Sequence, residues 1–259
     1  YGLATPIALG VDPVRHWDQI AEHLKYHDYM IDFDVKAWEE KVNLRLLGMN
    51  TQVKLKLLER AYKSRGEKFD RNNISIAHGL VVDYTDTYVC FRDLMYRKRS
   101  GLLSGHPGTL MENSEIHTMI MYLICFRVLK RTKPAYATEG FIAEHIRFIL
   151  AADDIVIAIS QVARLFITFE DIVKEYGQLG FEITAADKSK NLKAKTINEI
   201  QFLKQSFNYI EGRFYPKPNW DIVYQLLSWV REDSVLTEQE QTRINRENAF
   251  SFLWWRGEE

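Results

Sequence analysis

The sequence predicts an α+β chain, an antiparallel sheet with packed helices up to about residue 213, followed by a small helical piece. Three observations predict it. Residues 29–33 form a short apolar run that reads as a strand. Residues 146–152 and 155–159 are two apolar runs with Asp153 and Asp154 between them, a hairpin signal. From about residue 109 to 130 apolar residues recur at helical spacing, with Ile116, Ile120, Leu123 and Ile124 on one face.

Taken in order, the first strand ends at Asp34, and a helical pattern starts at Trp38 with Val42, Leu46 and Leu47 at helical spacing. Residues 50–75 are polar and mostly helical, with a loop at 64–66. Residues 81–82 and 88–91 read as short strands, and a Gly- and Ser-rich loop over 100–108 leads into the long helix. After the hairpin, 161–177 reads as a helix ending at Gly177 or Gly180, and 181–184 as a strand. Residues 200–207 read as a strand paired with the segment just after it; Pro216 and Pro218 mark a boundary; 220–230 and 245–255 read as helices.

The chain has 259 residues, enough for one large domain or two small ones, and a formal net charge of -1. The molecule as a whole therefore does not advertise a polyanion partner, and any nucleic-acid surface has to be local. Basic stretches are present at Arg92, Arg97, Lys98 and Arg99, at Arg127, Lys130, Arg131 and Lys133, and at Lys188, Lys190, Lys193 and Lys195. Taken singly, each reads as a solvated face. The two cysteines, Cys90 and Cys125, lie in apolar runs expected to be buried, with no metal-ligand spacing and no disulfide framework. This fits a reducing compartment. The longest apolar stretch, 119–126, is too short to span a bilayer, and no signal peptide is visible. A chain that starts at Tyr1 is expected to be a piece of something longer.

Asp153 and Asp154 are the first candidates for chemistry. An Asp pair between apolar strands is costly unless a turn, water or a cation compensates it. A solvated turn would explain the pair alone, but Asp34 ends a second strand. If the two strands are neighbours, three carboxylates converge on one sheet edge. Such an oxygen-rich cluster suits magnesium, and two ions about 4 Å apart can activate a hydroxyl and steady a leaving group. The loop Ser104-Gly105-His106-Pro107-Gly108-Thr109 lets backbone approach a ligand, and Thr109 and Asn113 share a helix face. Glu39 stands near a helix N-terminus, which is also where a negative charge is favoured without any ligand. Lys188 comes after a strand and could protonate a leaving group.

In this order these segments resemble the motifs of viral RNA-dependent RNA polymerases, closest to the picornavirus-like group. Asp34-Val-Lys-Ala-Trp-Glu39 is similar to the first motif. Ser104, Gly105, Thr109 and Asn113 match the second, S-G-x-x-x-T-x-x-x-N, and Ala152-Asp153-Asp154 occupies the place of G-D-D. Ala186-Asp187-Lys188-Ser189 resembles the fourth motif and Phe202-Leu203-Lys204 the fifth, the primer grip. Gly10-Val11-Asp12-Pro13 and the segment 253–259 resemble flanking picornaviral segments.

The resemblance implies a right-hand polymerase palm over 1–213 with fingers inserted at about 45–100, and the start of a helical thumb over 214–259. It implies that most of the N-terminal fingers and the end of the thumb lie outside this chain. Asp34 and Asp153 would hold two Mg²⁺ ions, with Mn²⁺ as an alternative, and Asp154 would assist. Glu39, Ser104, Gly105, Thr109 and Asn113 would read the ribose of the nucleotide. Lys188 would protonate pyrophosphate, and Phe202, Leu203 and Lys204 would brace the primer. The implied partners are RNA template and primer, NTPs and other viral replication proteins, in the host cytoplasm at replication complexes.

Two departures stand out: Ala151-Ala152 replaces the common aromatic-Gly, and Glu39 stands where the family has Asp. Alanine is small enough to keep the tight turn provided φ at Ala152 is negative, and the metal site is expected to be intact. A reverse transcriptase is the rival within palm polymerases; Glu39 and Asn113 argue for RNA synthesis. A catalytically silent remnant or RNA-binding fragment is the rival of another class.

Overall fold

A computed structural model describes residues 5–99, 101–102, 108–185, 192–228 and 235–257. Helix α1 (Pro13–Leu24) leads into strand β1 (Tyr29–Val35), a one-turn helix α2 (Trp38–Lys41) and the long α3 (Leu44–Ser64). The helical pattern from Trp38 is thus broken at residues 42–43. Asn43 is the reason: its side chain accepts from the N–H groups of Arg45 (3.0 Å) and Leu46 (3.1 Å), capping a new helix. Helix α4 (Asn72–Thr85) comes next and contains Val81 and Val82, so the strand expected there is not formed. Val81 is buried and α4 packs on α3, and this packing overrides the β-branched preference.

The hairpin β2 (Thr87–Phe91) and β3 (Leu94–Lys98) is next along the chain, with Cys90 exposed rather than buried. Helix α5 (Thr109–Thr132) buries Ile116, Ile120, Ile124 and Cys125, while Leu123 turns outward. Helix α6 (Glu139–His145) then enters the hairpin β4 (Ile146–Ala151) and β5 (Asp154–Ile159). The helix expected over 161–177 starts only at Phe169, as α7 (Phe169–Gln178). A reciprocal cap between Thr168 and Asp171 sets that start. Strand β6 (Ile183–Ala185) closes this half.

The second half has a meander, β7 (Gln201–Phe202), β8 (Gln205–Ile210) and β9 (Arg213–Pro218), then α8 (Trp220–Ser228) and α9 (Glu238–Arg256). Pro216 and Pro218 lie inside β9, paired with Phe207 and Gln205. They are tolerated because β9 is an edge strand, where a missing N–H breaks no ladder. The C-terminal segment returns to this meander: Asn208 Nδ2 donates to the carbonyls of Trp255 (3.0 Å) and Arg256 (2.7 Å).

The main sheet has strand order β4-β5-β1-β6, all neighbours antiparallel. Side chains alternate across it. Ile31, Phe33 and Val35 of β1 join Ile155, Ile157 and Ile159 of β5 in a core under α5 and α7. Met30 joins Ile149, Val156, Ala158, Trp17 and Phe202 in a second core, under α1 and the meander. Alternation therefore sets Asp32, Asp34 and Asp154 on the meander side. That single fact positions the site.

Candidate active site

β1 and β5 pair up to Phe33 and Ile155. One step further, the register sets Asp34 opposite Asp154, beside the turn that carries Asp153. The three carboxylates line a cavity of about 580 Å³, whose other wall is Leu203, Lys204 and Gln201. Gly10, at φ +73°, lines it too, so the N-terminal Gly-Val-Asp-Pro segment reaches the site.

The turn residue Ala152 has φ +57°, against the negative value expected. A left-handed alanine costs roughly 1–2 kcal/mol, so something must hold it. Its N–H donates to Ser114 Oγ (2.9 Å) and its carbonyl meets His117 Nδ1 (2.6 Å), both on α5. Burial pushes the His117 imidazole down to about 4, so it is neutral. A carbonyl can only accept, so Nδ1 carries the hydrogen and donates it. Nε2 then accepts from the Tyr176 hydroxyl (2.7 Å).

Opposite the turn, Leu203 (φ +50°) and Lys204 (φ +60°) form a two-residue hairpin loop between β7 and β8. The Leu203 N–H donates to Asp154 Oδ2 at 2.6 Å. Phe202 is not at the cavity wall as expected of a grip residue; its ring is fully buried near Trp17. It is the base on which the Leu203–Lys204 loop stands.

The electrostatics are those of crowded acids. Burial, then the hydrogen bond and charge of Asp34, push Asp153 up to about 6. Burial pushes Asp154 up to about 7, helped by the charges of Asp153 and Asp34 and opposed by the Leu203 N–H. Among the described residues no three His, Cys, Asp or Glu side chains form a ready metal cage. Asp34 and Asp153 meet, while Asp154 is turned to Leu203. An adjoining carboxylate pair that is costly to ionise suits a hard divalent cation, so the donor set fits the metal that the sequence implies.

The sign of the Asp154 shift leads to a stability prediction. A carboxyl raised from 3.8 to about 7 penalises the folded state increasingly as pH rises between those values. In chelator, Asp154→Asn is expected to raise the melting temperature by about 3–8 °C at pH 8 and by less at pH 5. Asparagine keeps an acceptor for Leu203. Thermal melts at the two pH values check it, and an equal or negative change at pH 8 would sink it.

Of the other sequence candidates, Ser104, Gly105 and Lys188 lie outside the described residues. Thr109 begins α5 and is half-buried. Asn113 is buried, and among the described residues its Oδ1 has no hydrogen-bond partner. Glu39 is exposed on α2, and its carbonyl accepts from Leu102 N (2.9 Å). Gly101 is needed there: at φ +75° its missing Cβ would sit 2.4 Å from the Glu39 carbonyl.

Several basic residues are engaged internally. Arg127 and Arg131 pair with the buried Glu175, stapling α5 to α7, and Arg97 pairs with Asp86. Lys195 Nζ meets Asp32 Oδ1 at 2.6 Å. Sequence reasoning missed Ser114, His117, Tyr176 and the Asp32–Lys195 pair. Ser114 and His117 are three apart on the buried stripe of α5, and that polar interruption was the available signal.

Residues 2–259 match the family model described as viral RNA-dependent RNA polymerase. The chain is 28% identical over 260 residues to the genome polyprotein of simian hepatitis A virus genotype V, covering 99% of this chain and 10% of that polyprotein. It is 29% identical over 262 residues to the genome polyprotein of human hepatitis A virus genotype IIIA, covering 100% of this chain and 11% of that one. The chain thus spans about a tenth of the length of these relatives. Its fold is similar to that of the Sicinivirus 3Dpol RNA dependent RNA polymerase, with TM-score 0.70 and 16% identity, over 98% of this chain and 53% of that one.

Proposed function

The chain belongs to the viral RNA-dependent RNA polymerases, and on that premise we propose that it is the catalytic core of an enzyme that copies RNA from an RNA template. The observation that carries this reading is the meeting of Asp153 with Asp34 in the cavity that faces the Leu203–Lys204 loop. Residues 1–213 act as palm, with fingers inserted at about 45–100, and 214–259 begin the thumb.

Asp34 and Asp153 hold divalent cations, Mg²⁺ or Mn²⁺, with Asp154 assisting from its bond to Leu203. When bound, such ions lower the pKa of an attacking hydroxyl and neutralise the departing pyrophosphate. Glu39, Ser104, Gly105, Thr109 and Asn113 read the ribose 2′-hydroxyl, a group that both donates and accepts. The orphan Asn113 Oδ1 is an acceptor suited to that hydroxyl. The primer 3′-hydroxyl loses its proton to water and attacks the α-phosphate in line with the leaving group, the bond from the α-phosphorus to pyrophosphate breaks, and Lys188 protonates the pyrophosphate. Leu203 and Lys204 brace the primer backbone and Phe202 supports them from below. Positioning supplies most of the rate. The chain works with template, primer, NTPs and other viral replication proteins, in the host cytoplasm at replication complexes. Among the described residues no helix is long and apolar enough to cross a membrane.

The test is primer extension on an RNA template by the polymerase that contains this chain, in Mg²⁺ or Mn²⁺. Template-dependent incorporation of ribonucleotides over deoxyribonucleotides is expected. Preference for deoxyribonucleotides would indicate a reverse transcriptase. No product in either metal would indicate a silent remnant.

A further inference from the structure

We propose that Ser114 and His117 are positioning residues for catalysis, which hold the Ala152 peptide and through it the direction of the Asp153 carboxylate. The proposal rests on the polymerase reading above. Three observations carry it. First, both backbone polar groups of the same turn residue are held by side chains of one helix, at 2.9 Å and 2.6 Å. A hairpin turn at a cavity wall could leave these groups to water; here they are fixed.

Second, the holders are themselves fixed. Ser114 and His117 are fully buried. The Ser114 hydroxyl donates its hydrogen to the Leu110 carbonyl (2.7 Å), which leaves a lone pair aimed at the Ala152 N–H. His117 is oriented from behind by Tyr176 of α7 (2.7 Å) and lies 4.5 Å, ring to ring, from Trp38. A polar group with every bond committed is a rigid support. Third, Ala152 is in the left-handed region, where alanine does not stay by preference. The residue before Asp153 therefore needs an outside hold, and α5 supplies it. The same helix carries Thr109 and Asn113, so the proposed nucleotide-reading end and the two side chains that hold the acid turn share one rigid element.

The test is a set of variants of the full polymerase: Ser114→Ala, Ala152→Gly and the pair together. If Ser114 serves to hold a left-handed alanine, Ser114→Ala lowers the single-nucleotide incorporation rate by about tenfold or more, with the nucleotide KM within about threefold. In the Ala152→Gly background the same change costs less than about threefold, because glycine adopts the turn unaided. A loss of equal size in both backgrounds overturns the proposal and leaves Ser114 with a packing role. For His117, His117→Gln is expected to lower the rate while a change of melting temperature accounts for none of it. A rate unchanged in the folded variant overturns its part.

Amide hydrogen exchange keeps the two readings apart. Ser114→Ala is expected to speed exchange across residues 151–154 by about tenfold, whether or not the parent extends primers. A silent parent would end the polymerase reading, and unchanged exchange would end this one.

Discussion

Replacing Asp153 with Asn is expected to slow nucleotide incorporation by roughly 10³-fold while the protein stays folded. The first half of that expectation comes from charge. Asp153 is the carboxylate at the tip of the turn, beside Asp34, and an amide in its place leaves one formal charge where two would face a divalent cation. Removing one preorganised electrostatic partner at a reacting centre costs up to about 4 kcal/mol of barrier, which is the fold-change stated. The second half comes from the same crowding read in the opposite direction. The metal-free fold already resists ionising Asp153, so Asn removes a repulsion and can donate from Nδ2 to Asp34. Single-nucleotide incorporation rates beside thermal melts in chelator check both halves. A loss of activity below about tenfold would remove Asp153 from the chemistry. A collapse of the fold would mean that the carboxylate is structural.

Much of this site was legible in the sequence because its signals are local. The hairpin around Asp153 and Asp154 comes from two apolar runs and a polar break, and both strands form where those runs lie. Strand β1 was legible from its short apolar run and helix α5 from its period, although β1 runs one residue past Asp34 to Val35. What failed depended on partners distant in sequence. Val81–Val82 joined a helix because α3 offers a surface to pack on, and Phe202 sank into the core because Trp17 lies beneath it. The two prolines lie inside β9, which an edge strand allows because it needs no N–H on its open side, and the strand-to-helix boundary falls just after them, between Pro218 and Trp220.

The sign of φ at Ala152 was misjudged from residue preference alone. The two-residue loop between β4 and β5 favours a positive φ at its first position, and two hydrogen bonds from α5, 35 and 38 residues away in sequence, hold alanine there. Asp32 was illegible as a buried acid because nothing local to it tells it from Asp34. Yet alternation along β1 puts both on one face, and a buried acid there demands a cation of its own. The basic stretches likewise needed the fold before their roles could be told apart: Arg127 and Arg131 bind helix to helix, and Lys195 answers Asp32.

That last pair supports the other large expectation: Lys195→Met should destabilise the protein by about 3–5 kcal/mol, and the double variant Asp32→Asn/Lys195→Met should recover most of it. Asp32 is 1% exposed and both its oxygens are engaged, one by Lys195 Nζ at 2.6 Å and the other by Gln201 N–H at 2.7 Å. Methionine matches the length of the lysine stem but strands a carboxylate in the core, and an uncompensated buried charge is what makes breaking such a pair costly. Asparagine at 32 removes that charge and still accepts from Gln201. Melting temperatures of the parent, both single variants and the double test this, with a fall of about 10 °C expected for Lys195→Met. Additive effects in the double variant would show that the two side chains stabilise independently. The pair also bears on function, because Gln201 opens β7, and β7 leads directly into Leu203 and Lys204. Asp32 and Asp154 therefore hold β7 and the loop after it by two backbone N–H groups, at Gln201 and Leu203. Loosening the first is expected to let the Leu203–Lys204 loop drift from the acids, so that Lys195→Met, assayed where it is still folded, releases primer faster than the parent. An unchanged primer off-rate would confine Lys195 to stability.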